Sequence, residues 1–153
     1  MRALVQRVRE GHVAIGGAVQ ARIGKGYVIL LGVRQNDTPA DAEYMAEKCA
    51  HLRVLEDADG KMNLSLRDTG GEVLVVSQFT LYADAQRGNR PGFTAAARPE
   101  TAEPLYGRFV ERLRQILGPD KVQTGVFGAM MEVLIANDGP VTILLESPTS
   151  HTP

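Results

Sequence analysis

The residues with the most chemistry to offer lie at the end of an apolar block. Ser77, Gln78, Phe79 and Thr80 follow Val73-Leu74-Val75-Val76 with no turn residue between them. A continuous β-branched and aliphatic run reads as a strand buried on both faces. That strand delivers two hydroxyls, an amide and main-chain N–H groups to a fixed place. The ordinary reading is that Ser77 and Thr80 satisfy the polar groups of a strand end. A hydroxyl nucleophile needs an adjacent base, and no histidine stands near either residue in the sequence. The chain has no G-x-S-x-G elbow, no G-x-x-x-x-G-K-[ST] loop and no H-E-x-x-H helix. What the strand end does offer is a set of oriented backbone N–H groups beside small hydroxyls, an arrangement suited to holding an oxyanion.

A second stretch with chemical potential is Asn137-Asp138-Gly139-Pro140-Val141-Thr142. Its spelling is strong turn chemistry and, taken alone, predicts a hairpin connection between the last two strands. A cis Gly139–Pro140 bond would aim two carbonyl oxygens the same way and make an acceptor pair for an ammonium group. About one X-Pro bond in twenty is cis, so the spelling does not decide it.

Metal and cofactor chemistry find no support. Cys49 is the only cysteine, which excludes an intrachain disulfide and thiolate-rich metal sites. His12, His51 and His151 lack ligand spacing. Asp57-Ala58-Asp59-Gly60 resembles a calcium loop until Gly60 is set in the sixth place; the first ligand position is then Leu55, and the pattern fails.

The elements that must position these stretches are legible in outline. Residues 1–9 alternate and His12 to Ile15 continue as strand; Gly16-Gly17 turns the chain into Ala18 to Ile23, and Tyr27 to Val33 is another buried strand. Thr38 and Pro39 start a helix with Ala42, Met45, Ala46, Cys49 and Leu52 on its apolar face. Short strands are expected at Arg53 to Leu55 and Met62 to Leu66, and the central strand is expected to run from Glu72 to Asp84. Ala85 to Phe93, rich in Gly, Pro and Arg, reads as an ordered surface loop where Arg87 and Arg90 could meet phosphate. A second helix spans about Glu100 to Leu117, with Leu105, Phe109, Leu113 and Ile116 inward and Gly118-Pro119 as its stop. Strands at Lys121 to Phe127, Met131 to Ala136 and Val141 to Glu146 complete the chain. The class is mixed α/β, with sheets packed and the helices on one side. A single domain is expected over residues 1–147, with 148–153 as a disordered tail.

Of the 153 residues, 44% are hydrophobic, which is ordinary for a globular protein. No segment has membrane-spanning length and no signal peptide is visible, so a cytoplasmic protein is expected. The 17 basic and 18 acidic residues nearly balance. A protein gripping a long duplex through its phosphates carries a basic excess, so any nucleic-acid contact should be local, to one end.

Several segments together are specific. The chain resembles the D-aminoacyl-tRNA deacylases in SQFTL at Ser77 to Leu81, GNRPGF at Gly88 to Phe93, TGVFGAMM at Thr124 to Met131 and NDGPVT at Asn137 to Thr142. MRALVQRV at the start and GKMNLSL at Gly60 to Leu66 agree as well. The resemblance implies a three-layer β/β/α fold and a homodimer with the active site at the subunit interface. Ser77, Gln78, Phe79 and Thr80 would form one wall, and Gly139 and Pro140 of the other subunit would enter as a Gly-cisPro motif. Arg7 would brace that motif; Phe127 and Met131, in a matching segment, are carried over as supporting residues. The implied reaction is hydrolysis of the ester between a D-amino acid and the terminal ribose of tRNA, with the neighbouring ribose hydroxyl helping to place water. No cofactor, metal or side-chain base is implied, and Thr80 as nucleophile is the minority mechanism. An L side chain would be driven into the motif while a D side chain points to open space; glycine has nothing to reject. One departure is Met130, where many relatives carry aspartate. The alternatives are an editing domain acting on a mischarged L-amino acid and an inactive module binding RNA ends.

Overall fold

A computed structural model of the chain describes residues 1–148. The first strand, β1 (Arg2–Ile15), is the axis of the fold. Its first half pairs antiparallel with β3 (Gly26–Gly32), its second half with β2 (Ala18–Ile23), and along its other side with β8 (Glu132–Glu146). The apolar blocks form the two central parallel strands, β3 and β6 (Glu72–Ser77), and β7 (Val122–Thr124) adds to β6. All six strands are hydrogen-bonded into one sheet. A two-stranded ribbon, β4 (Leu55–Glu56) with β5 (Met62–Leu64), lies apart.

The alternation of side chains along β3 and β6 assigns each residue to one of two cores. Tyr27, Ile29, Val73 and Val75 point to the helices α1 (Pro39–His51) and α3 (Pro99–Leu117), where they meet Met45 and Phe109. Val28, Leu74 and Val76 point the other way and meet Val8, Val13 and Ile23, with Val133 and Ile135 against them. The sheet therefore folds back over itself: the outer halves of β1 and β8, with β2, form a second β layer, and the helices form the third. This is the expected β/β/α architecture, reached by one continuous ladder. Each fully buried aliphatic or aromatic side chain here contributes about 1.5–3 kcal/mol.

Local signals act as read at several points. Thr38 caps α1 in a reciprocal box with Asp41, and Pro39 opens the helix. Cys49 is fully buried on the apolar face, and burial pushes its thiol up to about 12.

Other boundaries differ. β6 stops at Ser77, and Phe79–Tyr82 forms a 3-10 turn where strand was expected to Asp84. The expected strand to Leu66 ends at Leu64, and Leu66–Thr69 forms a one-turn helix, α2, capped by Ser65 with Asp68. The short strand expected at Arg53 to Leu55 is Leu55–Glu56, and that expected at Lys121 to Phe127 is only Val122–Thr124. The two last strands are one, because β1 pairs with residues on both sides of the Asn-Asp-Gly-Pro sequence and the chain never reverses. The expected tail, apart from Pro148, lies outside the described residues. Among the described residues no helix is long and apolar enough to cross a membrane.

Candidate active site

The strand end is built by a close approach. Gln78 N donates to Leu31 O at 2.8 Å, which holds the chain beside β3 for one residue beyond β6. The chain then curls over Gly32, where a Cβ would meet Gln78 O at 3.0 Å and Leu81 Cβ at 3.1 Å. Glycine leaves room for this 3-10 turn, and a side chain there would crowd it. No side chain caps the start of the turn, so the N–H groups of Phe79 and Thr80 have no acceptor within their own helix. Ser77 and Gln78 are half-buried, Thr80 is exposed, and Phe79 is 57% exposed. The Phe79 ring meets Phe93 edge-on, centroids 5.1 Å apart. Gln78 Nε2 donates to Thr80 Oγ1.

No histidine serves Thr80 among the described residues. His51 Nδ1 pairs with Glu47 O, and the buried Nδ1 of His12 has no hydrogen-bond partner. The hydroxyl thus lies beside an amide, without a base, and the donors with unspent capacity are the backbone N–H groups.

Arg2 also serves this end, and the sequence reading missed it. Its Nη1 donates to Leu81 O at 2.8 Å, its guanidinium lies 4.7 Å from the Tyr82 ring centre, and Nε donates to Glu146 Oε1 at 2.5 Å. The turn is therefore tied to the first and last strands. The only sequence signal was an arginine in the alternating run that opens β1.

The second segment sits at a break in the β1–β8 ladder. Gln6 pairs with Thr142 and Val8 with Asn137, so four residues, 138–141, stand opposite the single Arg7. Unable to fit the ladder, they form an excursion containing the cis Gly139–Pro140 bond. Arg7 is buried; its Nε donates to Asp138 O at 2.9 Å and its Nη1 to Val54 O at 2.8 Å, with Glu56 Oε1 and Asp138 Oδ2 each at 3.8 Å. Gly139 and Pro140 themselves are exposed. Arg7 and Asp138 also line a cleft of about 390 Å³, together with Lys25, Glu56 and Glu72 among others.

Strand register separates the two segments within one chain. Ser77 is level with Leu31 and Ala3, whereas Arg7 is level with Tyr27 and Val73. Four residues along a strand are about 13 Å, and three strand spacings from β6 to β8 are about 14 Å, so the segments lie about 20 Å apart. A single chain does not bring them together.

Phe127 and Met131 occupy opposite faces of the sheet. The Phe127 ring packs 5.7 Å from Tyr106 on the helical side, and Met131 packs against the second core. Met130, the departure from the resembled family, is 90% exposed. A larger groove, about 550 Å³, lies between α1 and α3 on the helical layer. Both of its arginines are already paired, Arg108 Nε with Glu43 at 2.8 Å and Arg112 Nε with Glu47 at 2.9 Å. No cluster of three or more His, Cys, Asp or Glu side chains that could hold a metal occurs among the described residues.

This layered fold is shared with a solved structure described as a probable eukaryotic D-amino acid tRNA deacylase, at TM-score 0.84 over 94% of this chain and 97% of that one; at 17% identity the likeness is one of fold. A second solved structure, described as a c-Myc DNA unwinding element binding protein, is 46% identical with TM-score 0.93, covering 97% and 99% of the two chains. The sequence profile of the family described as D-Tyr-tRNA(Tyr) deacylase matches residues 4–146. The D-aminoacyl-tRNA deacylase of Symbiobacterium thermophilum is 61% identical over 147 residues, 96% of each chain. That of Thermus aquaticus is 56% identical over 147 residues, 96% of this chain and 95% of the relative. The chain belongs to the D-aminoacyl-tRNA deacylase family.

Proposed function

We propose that this chain hydrolyses the ester between a D-amino acid, or glycine, and the 3′-terminal adenosine of tRNA, as a cytoplasmic homodimer that rejects the L-ester. The observation that carries the dimeric site is the separation of about 20 Å between the two segments. Gly139 and Pro140 of one protomer face the Phe79–Thr80 turn of its partner. The unburied apolar side chains Leu134 and Val19 of the outer β layer, and Leu144 further along β8, supply apolar surface of the kind an interface needs.

In that reading the backbone N–H groups of Phe79 and Thr80 bind the ester carbonyl oxygen and hold the negative charge that gathers there as water adds to the carbon. The ribose oxygen then leaves with the ester's bonding pair and takes a proton, releasing the amino acid and intact tRNA. The substrate's neighbouring hydroxyl orients the water, so Thr80 contributes its N–H, with its hydroxyl in a supporting role. Carbonyls of Gly139 and Pro140 accept from the α-ammonium. With ester and ammonium both fixed, an L side chain meets the motif and a D side chain meets solvent, while glycine has no side chain to exclude. Arg7 holds the motif through Asp138.

The test is ester loss from D-Tyr-tRNA, L-Tyr-tRNA and Gly-tRNA incubated with the pure chain. Cleavage of the D and glycyl esters with the L-ester intact supports the proposal. Preferential cleavage of the L-ester would identify an editing activity, and no cleavage of any would leave a module that binds nucleic-acid ends. A net charge of −1 favours a short single-stranded end over a duplex for any such contact.

A further inference from the structure

Resting on the proposed tRNA substrate, we infer that the Ala85–Pro91 loop is the phosphate grip for the single-stranded acceptor tail, with Arg87 and Arg90 as its charges. From Ala85 to Pro99 the chain holds three arginines and no acidic residue, although acidic residues outnumber basic ones over the whole chain. Arg87 and Arg90 are exposed and make no ion pair among the described residues. The nearest acid, Asp84, spends a carboxylate oxygen on Gln86 N at 3.0 Å. By contrast Arg2, Arg7, Arg108 and Arg112 are each committed to carboxylates.

The base of the loop is firm and adjoins the reacting centre. Asp84 and Gly92 exchange two backbone hydrogen bonds, each 2.8 Å, which closes the loop one residue past the Phe79–Tyr82 turn and its cap, Ala83. On the far side Phe93 packs on Phe79, Gln35 N donates to Ala95 O at 3.2 Å, and Ala97 N donates to Val33 O at 2.9 Å. Arg90 is three residues from Phe93, so its Cα lies within about 11 Å of the Cα of Phe93. An arginine side chain spans further toward a strand arriving at Phe79. That strand must be the tail leading to the esterified ribose, and it carries one phosphate per nucleotide. Two guanidinium groups on a pinned loop suit it: they bind phosphate without reading sequence, so any tRNA is accepted.

The experiment titrates uncharged tRNA against the full chain between 50 and 200 mM salt, and in parallel measures hydrolysis of D-Tyr-tRNA and of D-tyrosyl-adenosine, which lacks the tail. The Arg87→Gln/Arg90→Gln variant should weaken tRNA binding about tenfold at the lower salt. Its log–log salt slope should be shallower by about 1.4, two single-strand phosphates at about 0.7 each. kcat/KM should fall on D-Tyr-tRNA and stay unchanged on D-tyrosyl-adenosine, and Arg87→Lys/Arg90→Lys should restore most of the loss. Unchanged tRNA affinity and salt slope would overturn the inference. Equal loss on both esters would overturn it too, since the loop would then be shaping the pocket. Failure of the wild-type chain to cleave either ester would instead defeat the deacylase reading, with the binding titration still deciding the role of the loop.

Discussion

A single methyl group at position 139 tests whether the excursion in β8 works as a shaped wall. Gly139 has φ +129°, a conformation that costs a residue with a Cβ about 1–3 kcal/mol. The added carbon would lie 3.1 Å from Val141 N, 3.1 Å from Val141 Cγ2 and 3.1 Å from Arg7 Nη2. The backbone nitrogen cannot yield, so the loop or Arg7 must move. Movement of Arg7 strains its bond to Asp138 O, a charge-assisted contact of about 1.5–3 kcal/mol. The rest of the fold does not depend on this loop, so Gly139→Ala should remain folded. Its melting temperature should fall by about 2–12 °C, at about 2–4 °C per kcal/mol for a chain of this size. Displacing a positioning group by about 1 Å costs about 100-fold, so a shift of a few tenths of an ångström should lower kcat/KM on D-Tyr-tRNA by about 3- to 10-fold, with weakened rejection of L-Tyr-tRNA. A folded variant with wild-type turnover of the D-ester and undiminished exclusion of the L-ester would refute the idea that this loop selects chirality.

Four further outcomes are expected. Thr80→Ala should retain measurable turnover of D-Tyr-tRNA, since the N–H survives; complete loss in a folded variant would point to covalent catalysis by the hydroxyl. Arg2→Ala should reduce kcat on the same substrate by releasing the 3-10 turn, with little change in binding of uncharged tRNA; a variant with full kcat would show that the turn holds without it. Cys49, buried with its thiol raised to about 12, should resist alkylation at pH 8 in the folded protein and react on unfolding in guanidinium; rapid native labelling would contradict its burial. Asp68 accepts from Ser65 N and Oγ, which depresses its carboxyl below the ordinary 3.8. Its contribution is therefore present above about pH 4 and lost as pH falls through the depressed value. Thermal melts should show Asp68→Asn less stable than wild type at pH 5 and closer to it at pH 3, and a constant gap would refute the linkage.

The central strands were legible because Tyr27 to Val33 and Val73 to Val76 are apolar runs too short for a buried helix and rich in β-branched or aromatic residues. The helices announced themselves by Thr38-Pro39 and by the spacing of Leu105, Phe109 and Leu113. Two of the failures share one cause, which is that long-range structure overrode local preference. Phe79-Thr80-Leu81-Tyr82 favours strand, but Gly32 on another strand opens the space into which it curls. Asn-Asp-Gly-Pro favours a reversal, but β1 runs past it and pairs on both sides. In the one-turn helix α2 the box is closed by aspartate in place of the more usual Glu or Gln, and four residues leave too little periodicity to read. The candidate residues of the site were taken from the resemblance, whereas the distance between the two segments emerges only from the register.

The same excursion bears on how this chain avoids unwanted assembly. β8 is 15 residues long and, among the described strands, pairs only with β1, so its free edge invites another chain to add a strand. Residues 138–141 cut that edge into two short runs, Glu132–Asn137 and Thr142–Glu146, whose registers on β1 do not match. A strand templated on one run slips out of step on reaching the other, and Pro140 has no N–H to offer it. Shortening residues 138–141 to the one residue that Arg7 can pair with would straighten the ladder and leave a continuous free edge, a surface suited to fibre growth.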